Sequence, residues 1–391
     1  MVKENGTYLV DLSCAECGKS YTPHHIQTYC HDCNAPLLAD YDLENLADKL
    51  DRDMLRVRPK GMWRWSELLP VHDSQFIVSL GEGDTPLLPL LHVAHEMGLA
   101  KLLLKEEGQN PTGSFKARGL STAVSKAKEL GIKRITMPSA GNAGGALAAY
   151  AARAGIETLI FMPENSPLAN MKETMITAAR VELVDGLISE AGKFAAEAEK
   201  SEGWFNMATF MEPYRVEGKK IMGYEIAESL LWRLPDVIIY PTGGGTGLVG
   251  MWKAFKELAQ LGWLETKTMP RMISVQAAGC APIVDAVLAG KESSEFWENA
   301  RTIATGLCVP HSFADRLILR YIKESHGTAI SVTDEAINTA IQRLARQEGL
   351  FASPEGAATL AGLEKLLQLD LVHPDETVVL FNTASGLKYI C

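Results

Sequence analysis

From about residue 84 onward, the 391-residue chain alternates between short apolar runs and stretches of helical periodicity. The runs that we predict to be strands are RITMPS, TLIFMP, VELVDG, DVIIYPT, MISVQAAG and TVVLFNT. Helices are predicted at residues 116–130, near Asn142, at 166–180, at 217–231, from 246 onward and across 333–368. Strands joined through helices cannot pair as hairpins, so this order requires largely parallel sheets with helices on both faces. The sequence therefore predicts an α/β fold.

Length, charge and hydropathy narrow the choice further. A chain of 391 residues is too long for one small core, so we expect two domains or one elaborated α/β unit. With 48 acidic and 38 basic side chains, its surface repels phosphate backbones, and we expect no nucleic-acid partner. The N-terminus lacks a secretory signal, and Arg153 and Glu157 interrupt the most apolar stretch. We predict a cytoplasmic protein without a membrane span.

Four of the seven cysteines form two Cys-x-x-Cys pairs separated by twelve residues, namely Cys14, Cys17, Cys30 and Cys33. Two such pairs complete the all-sulfur shell of a structural zinc site, with redox pairs or an eroded site as the alternative. A full set of thiolates leaves no vacancy for the neighbouring His24, His25 and His31, which we expect at the surface or in supporting positions. Buried or terminal thiols are the simplest interpretation of Cys280, Cys308 and Cys391. Residues 43–76, charged and Trp-rich, are interpreted as a connector.

Three loops of unusual composition follow predicted strands: SAGNAGG at 139–145, GGGTG at 243–247 and TAS at 383–385. Ligands bind beyond the carboxyl ends of strands in parallel sheets, so these loops are the candidate site. In the second loop, backbone N–H groups can converge at the start of a helix and bind a phosphate. Its members are Gly243, Gly244, Gly245, Thr246 and Gly247. Tight packing is the alternative interpretation of this loop.

The loop at 139–145 combines a hydroxyl, an amide and several N–H groups at a helix start, which suits a carboxylate. Asn142 can also reach an aromatic oxygen, and a simple N-cap is the alternative interpretation of the loop. Lys116 lies in PTGSFKARG, where it is either a solvated lysine or an activatable amine. A phosphate site, a carboxylate site and one amine are what a pyridoxal phosphate enzyme acting on amino acids requires.

Five motifs, KEEGQNPTGSFKARG, SAGNAGG, EPYRVEGKKIMGYEI, PTGGGTG and NTASGLKY, follow the order found in fold type II pyridoxal phosphate enzymes. The chain resembles that family over roughly residues 80–391 and is most similar to its threonine synthases, some of which carry a zinc ribbon. The resemblance implies a tryptophan synthase β-like architecture with two doubly wound α/β domains, and a homodimer. The bounds we predict are a zinc-ribbon-like segment at 1–45, a large cofactor-binding domain at 46–109 plus 211–391, and a small mobile domain at 110–210.

The resemblance also implies roles for individual residues. Lys116 would bond covalently to the cofactor, Asn142 would face its ring hydroxyl, the loop at 243–247 would hold its phosphate, and Thr383 would face its pyridine nitrogen. A strand-end hydroxyl bonded to backbone is the alternative for Thr383. The implied reaction converts O-phospho-L-homoserine and water to L-threonine and phosphate. Expected substrate contacts, with Lys105 as a further candidate for the phosphate, are Thr85, Ser139, Ala140, Gly141, Asn142, Ala143 and Arg215.

The chain departs from the threonine synthase pattern at one position. Ala117 stands where many of these enzymes have Asp, and the Ser-Ala-Gly-Asn start of the second motif also occurs in dehydratases. Three alternatives therefore stay open: a serine/threonine or diaminopropionate ammonia-lyase, a cysteate synthase, and a catalytically silent relative whose cysteine segment is a binding module.

Overall fold

The computed structural model describes residues 6–390, and Cys391 lies outside them. Fourteen strands occur in this part of the chain. They are β1 Leu9–Cys14, β2 Ser20–Tyr21, β3 Tyr29–Cys30, β4 Ala35–Tyr41, β5 Leu87–Pro89, β6 Lys101–Glu106, β7 Arg134–Pro138, β8 Glu157–Pro163, β9 Arg180–Val184, β10 Phe205–Asn206, β11 Val237–Pro241, β12 Arg271–Ala277, β13 Thr328–Val332 and β14 Thr377–Asn382.

Thirteen α-helices connect the strands of the described chain. They are α1 Leu43–Ala47, α2 Arg52–Arg56, α3 Leu91–Met97, α4 Lys116–Glu129, α5 Asn142–Ala154, α6 Leu168–Ile176, α7 Ile188–Glu202, α8 Arg215–Ser229, α9 Thr246–Gln260, α10 Pro282–Leu288, α11 Asp315–Glu324, α12 Asp334–Glu348 and α13 Pro354–Gln368. A 3-10 helix at Gly386–Tyr389 closes the chain.

The strands form three sheets. The largest has the order β13-β12-β11-β14-β6-β5, and all its pairs are parallel except the edge pair of β5 with β6. A second, fully parallel sheet has the order β10-β7-β8-β9. The predicted α/β fold with largely parallel sheets is therefore confirmed. The domain boundaries at residues 110 and 210 stay a prediction.

The predicted elements agree with the structure to within a few residues where periodicity is strong. The helix predicted at 116–130 is α4, and the run DVIIYPT contains β11. The helix predicted at 166–180 is shorter, because α6 ends at Ile176 and Arg180 already begins β9. Several elements were not predicted, namely β5, β6, β10, β13, α3, α7, α10 and α11. The shortest of them, such as β5 and β10, carry too little periodicity.

Helices α4 and α8 cross at very short range near the start of α4. A Cβ atom added to Gly119 would lie 2.6 Å from the Arg215 carbonyl oxygen, and one added to Gly218 would collide with the Arg118 carbonyl. Only glycine permits this approach of two backbones. The crossing fixes Lys116, the first residue of α4, against the buried helix α8.

The N-terminal segment forms an antiparallel sheet of order β2-β1-β4-β3 that packs on the rest of the chain. Arg320 of α11 donates hydrogen bonds to the Ala15 carbonyl and to Glu16, both at 2.5 Å. The Tyr29 ring lies edge-on to Phe313, with 5.4 Å between centroids. Within residues 6–390, no helix has the length and apolar character needed to cross a membrane.

Candidate active site

One cavity of about 500 Å³ collects the loops that follow three parallel strands. Its lining comes from both parallel sheets, because residues 139–143 follow β7 whereas residues 243–247 follow β11. The loop at 305–313 and Thr383 complete the wall, and Lys116 points in from the start of α4. The structure thus brings together the amine and the three loops singled out in the sequence.

The amine of Lys116 lies against an aromatic ring, on a half-buried side chain at the cavity wall. Its Nζ is 4.3 Å from the centroid of the Phe115 ring. Burial, assisted by the positive charge of Arg215 and opposed by Glu355, lowers the pKa of Lys116 to about 7. A large fraction of the amine is therefore neutral near pH 7 and able to act as a nucleophile or base.

The loop at 243–247 presents unused hydrogen-bond donors. Among the residues that the structure describes, no acceptor takes up the backbone N–H groups of Gly243 to Gly247. Gly245 adopts φ of 80°, a left-handed conformation that suits glycine, and α9 begins at the next residue. Free N–H groups at a helix N-terminus bind anions, and these line the cavity. The residues present therefore fit a phosphate group.

The loop at 139–145 is partly satisfied by its own serine. The Ser139 hydroxyl accepts the N–H groups of Gly144 at 2.7 Å and Gly141 at 3.2 Å. It acts as a cap of α5, as in the alternative interpretation given above, and the backbone amides of Ala140, Asn142 and Ala143 remain without acceptors in the described chain. The loop can therefore hold a carboxylate mainly through backbone N–H groups.

Thr383 follows the central strand β14 and is tied to the lysine. Its carbonyl accepts the N–H of Phe115 at 2.9 Å, and its nearly buried side chain lines the cavity. The residue predicted to face a ring nitrogen is thus joined to the residue before Lys116 by one backbone hydrogen bond.

The structure does not bring Thr85 or Lys105 into the cavity lining. The Thr85 hydroxyl donates to Glu107 at 2.6 Å, and Lys105 donates to the Thr85 carbonyl at 2.6 Å and to Glu225 at 2.7 Å. Both belong to a buried ion cluster built around Arg118, which bonds Glu107 and Glu225. Buried charges require such partners, which explains why these side chains face away from the cavity.

Arg215 also lies behind the lining instead of within it. Its Nη1 donates to the Met207 carbonyl at 2.8 Å, and its Nε has no hydrogen-bond partner among the described residues. The neighbouring carboxyl group of Glu212 caps the start of α8 and has a pKa raised to about 7 by burial. Arg215 consequently places positive potential behind Lys116 without a fully matched counter-charge.

Sequence comparison decides the family. The profile described as "Pyridoxal-phosphate dependent enzyme" matches residues 78–384, most of the chain. The chain belongs to this family of pyridoxal-phosphate dependent enzymes. Named threonine synthases are close relatives: that of Methanocaldococcus jannaschii is 38% identical over 96% of this chain and 92% of its own length. That of Methanosarcina acetivorans is 36% identical over 96% and 92%. The predicted resemblance to the threonine synthases is confirmed.

Solved structures of pyridoxal-phosphate dependent enzymes share the fold. A maize serine racemase superposes with a TM-score of 0.68 at 21% identity, covering 77% of this chain and 88% of the racemase. A diaminopropionate ammonia lyase from Escherichia coli gives 0.67 at 19% identity, covering 80% and 87%. At such identities the match establishes the fold type II architecture only.

The sequence analysis did not predict several cavity residues of this pyridoxal-phosphate dependent enzyme. Glu355, Tyr389 and Cys308 all line the cavity. Lys219 lies buried beside it and donates to the carbonyls of Phe115 at 2.7 Å and Lys116 at 3.3 Å. Tyr389 ends the NTASGLKY motif, so that motif was a usable signal. For the other three, a position in a helix (Lys219 and Glu355) or in a loop (Cys308) says nothing about a shared cavity.

The four cysteines of the N-terminal sheet converge as predicted. The Sγ atoms of Cys14, Cys17, Cys30 and Cys33 all lie within 4.8 Å of one another. Thiolates on a tetrahedron about 2.3 Å from a zinc ion are about 3.8 Å apart, so the residues present fit such an ion. His24, His25 and His31 are exposed, and Cys280 is buried as predicted. Cys308 is instead half-buried at the cavity wall.

Proposed function

We propose that this chain is a threonine synthase that converts O-phospho-L-homoserine and water to L-threonine and phosphate. The observation that carries the proposal is a single cavity lined by two features. One is the Lys116 amine, whose lowered pKa allows it to be neutral, and the other is the set of backbone N–H groups of Gly243 to Gly247 that have no acceptor among the described residues. The curated relatives supply the reaction class.

Each loop has a separate task in this proposal. The N–H groups of Gly243 to Gly247, with the dipole of α9, hold the phosphate of pyridoxal phosphate. Asn142 donates to its phenolic oxygen, and the Thr383 hydroxyl faces its ring nitrogen. A neutral hydroxyl at that position keeps the ring a moderate electron sink, which suits elimination and replacement. When bound, the cofactor supplies the sink for the electrons released at Cα of the amino acid.

Lys116 carries the proton transfers. With a pKa of about 7, its amine can remove one proton from Cα and one from Cβ of the substrate, and it can return protons to Cγ and finally to Cα. Phosphate leaves from Cγ, and water adds at Cβ. The Phe115 ring lies against the amine and the loop at 305–313 lines the same cavity, and burial is the main cause of the lowered pKa.

The buried charges favour an anionic substrate. Arg215 and Lys219 are both buried beside Lys116, and Glu212 is the carboxylate that partly offsets them. Burial lowers the pKa of Lys219 well below its ordinary value, so most of the positive potential comes from Arg215. That potential attracts a phosphorylated amino acid, whereas a substrate with a second amino group would be repelled. The backbone N–H groups of Ala140, Asn142 and Ala143 bind the substrate carboxylate. Thr85 is not a substrate contact in this proposal, because its hydroxyl is bonded to Glu107 outside the cavity lining.

Two further features belong to the proposal. A zinc ion held by the four cysteines staples the N-terminal sheet, and the active form is a homodimer. Elemental analysis of protein purified without chelators should find about one zinc per chain, since four thiolates complete one tetrahedral shell. Light scattering on the purified protein measures the oligomeric state. A zinc content near zero would contradict the zinc site, and a monomer with full activity would contradict the homodimer.

The product spectrum tests the function. Purified protein with phosphohomoserine should release phosphate and threonine in equal amounts, whereas Lys116→Ala should release neither. Borohydride reduction followed by peptide mapping should place the cofactor on Lys116. Ammonia released from serine, threonine or diaminopropionate, without phosphate release, would instead identify an ammonia-lyase. A protein that carries no reducible cofactor would refute the enzymatic assignment.

A further inference from the structure

A glutamate at the cavity wall has an oxygen atom without a partner. Glu355, in the first turn of α13, is 5% exposed and lines the cavity. Its Oε1 accepts the N–H of Gly306 at 2.7 Å, whereas its buried Oε2 has no hydrogen-bond partner among the described residues. A carboxylate can only accept hydrogen bonds, so this oxygen calls for a donor in the site.

The hydroxyl of Tyr389 lies near that carboxylate, without a hydrogen bond between them in the described structure, and it is hydrogen-bonded to Asn142. The Nδ2 of Asn142 and the Tyr389 hydroxyl are 2.9 Å apart. Burial and the nearby Glu355 raise the pKa of Tyr389 well above its ordinary value, so the hydroxyl keeps its proton. Thr305 also lies near this hydroxyl. Three polar side chains thus surround one phenol proton.

Of the three neighbours of Tyr389, only Glu355 is restricted to accepting hydrogen bonds. The Glu355 carboxylate cannot donate and its Oε2 has no partner among the described residues, so we expect the Tyr389 proton to be directed at it, while the Tyr389 oxygen accepts from Asn142 Nδ2. Asn142 must then turn its NH₂ group, and not its carbonyl, toward Tyr389. One N–H of that amide is used by Tyr389, and the second remains free. The charge of Glu355 therefore decides which way the Asn142 amide faces.

We propose that Glu355 and Tyr389 are positioning residues, which orient the Asn142 amide so that its second N–H is offered to the phenolic oxygen of the bound cofactor. This inference rests on the proposed function, because Asn142 is taken to face the cofactor. A donor at that oxygen stabilises its anionic form and so lowers the pH at which the bound cofactor changes its absorbance. Neither residue has to touch the substrate.

Two substitutions test the polarity of this arrangement. Glu355→Gln keeps the shape but can donate, which lets Tyr389 donate to the Asn142 carbonyl and reverses the amide. Tyr389→Phe removes the intermediary. The absorbance midpoint of the bound cofactor should rise by about one pH unit or more in Glu355→Gln, the size of one lost charge-assisted hydrogen bond, and less in Tyr389→Phe. The double variant should resemble Tyr389→Phe, because the two residues act in series.

A matched control lies on the same helix as Asn142. The Tyr150 hydroxyl donates to Glu82 at 2.5 Å, away from the cavity lining, so Tyr150→Phe removes an equivalent bond without touching the site. The dissociation constant of the cofactor, measured by fluorescence titration of the apoprotein, is the second readout. It should increase at least several-fold in Glu355→Gln and stay unchanged in Tyr150→Phe.

The possible outcomes distinguish the positioning role of Glu355 and Tyr389 from the proposed function. Cofactor bound by all variants, with the same absorbance midpoint and affinity in Glu355→Gln, Tyr389→Phe and Tyr150→Phe, would overturn the positioning role and leave the proposed function intact. A wild-type protein that binds no pyridoxal phosphate would overturn both. Should Glu355→Gln fail to fold, the midpoint of Tyr389→Phe against Tyr150→Phe still decides, because a structural role alone would move stability and not absorbance.

Discussion

The glycines of both strand-to-helix loops pack against side chains, and only the loop at 243–247 also has a glycine packed against backbone. In the loop at 243–247, a Cβ atom on Gly243 would collide with the Gly306 carbonyl, which belongs to the backbone. In the loop at 139–145, a Cβ on Gly145 would meet the end of the Glu173 side chain, and one on Gly141 would lie 2.9 Å from the Asn170 amide. Backbone cannot move aside cheaply, whereas side-chain ends can rotate.

This difference matches the tasks proposed for the loops. A cofactor that stays bound through every cycle needs a rigid cradle, and preorganised donors are the cheapest way to hold its phosphate. A substrate loop must admit, enclose and release a ligand, so it benefits from neighbours that can adjust. We therefore expect substitutions in the first loop to act on cofactor affinity and those in the second to act on KM.

The largest effect should come from Gly243→Ala. Its methyl group would push against the Gly306 carbonyl and lie 3.1 Å from Val309 Cγ2, which displaces the N–H groups from the phosphate. Overpacking against backbone costs about 1–3 kcal/mol, so cofactor affinity should fall by roughly 10- to 100-fold. Gly192→Ala is the matched control, because nothing lies within 4 Å of a Cβ there. Equal affinities in the two variants would contradict a rigid cradle.

The second largest effect concerns pH, since Lys116 faces both loops. Its amine is charged below a pKa of about 7 and neutral above it. Because only the neutral amine attacks an aldehyde, the rate of cofactor capture by the apoprotein should fall about tenfold per pH unit below that value and level off above it. Stopped-flow absorbance measures the rate.

Arg215→Gln provides the companion variant. Removing the positive charge that helps to lower the pKa of Lys116 should move the midpoint of the rate profile to higher pH. If the wild-type rate profile had its midpoint near the ordinary pKa of a lysine, the Lys116 amine would be solvated, which is the alternative interpretation of the PTGSFKARG segment.

The sequence predicted those parts of the site that local motifs encode. A glycine run after an apolar strand predicts a loop and its N–H groups, and the order of strands and helices places the loops at one edge of a sheet. Side-chain direction is different: Thr85 turns away from the cavity because its hydroxyl accepts a hydrogen bond from the distant Arg118, and Lys105 does so because it donates to Glu225. Likewise, Glu355 and Tyr389 meet only because β14 and α13 fold back on the start of α5. Pairings between distant segments leave no periodic signal in one sequence.

A third, smaller effect is expected for Ser139→Ala in the substrate loop. The hydroxyl caps α5 by accepting the N–H groups of Gly144 and Gly141. Loss of an N-cap costs about 1 kcal/mol, so KM for the amino-acid substrate should rise about fivefold. The cofactor dissociation constant should change much less. A larger change in cofactor affinity than in KM would show that the two loops do not divide their tasks.

The smallest effect should follow from Gly145→Ala, which tests whether the substrate loop really tolerates an added methyl group. Glu173 must rotate to make room and so gives up its ion pair with Lys388, the residue next to Tyr389. A partly exposed ion pair is worth about 0–1 kcal/mol, so KM should change by about two- to threefold, and the melting temperature hardly at all. Glu173→Gln removes the ion pair without the methyl group and should reproduce that change. If Gly145→Ala instead lowered cofactor affinity as much as Gly243→Ala, the neighbours of both loops would be equally rigid. The mobile part of the site would then have to be the loop at 305–313.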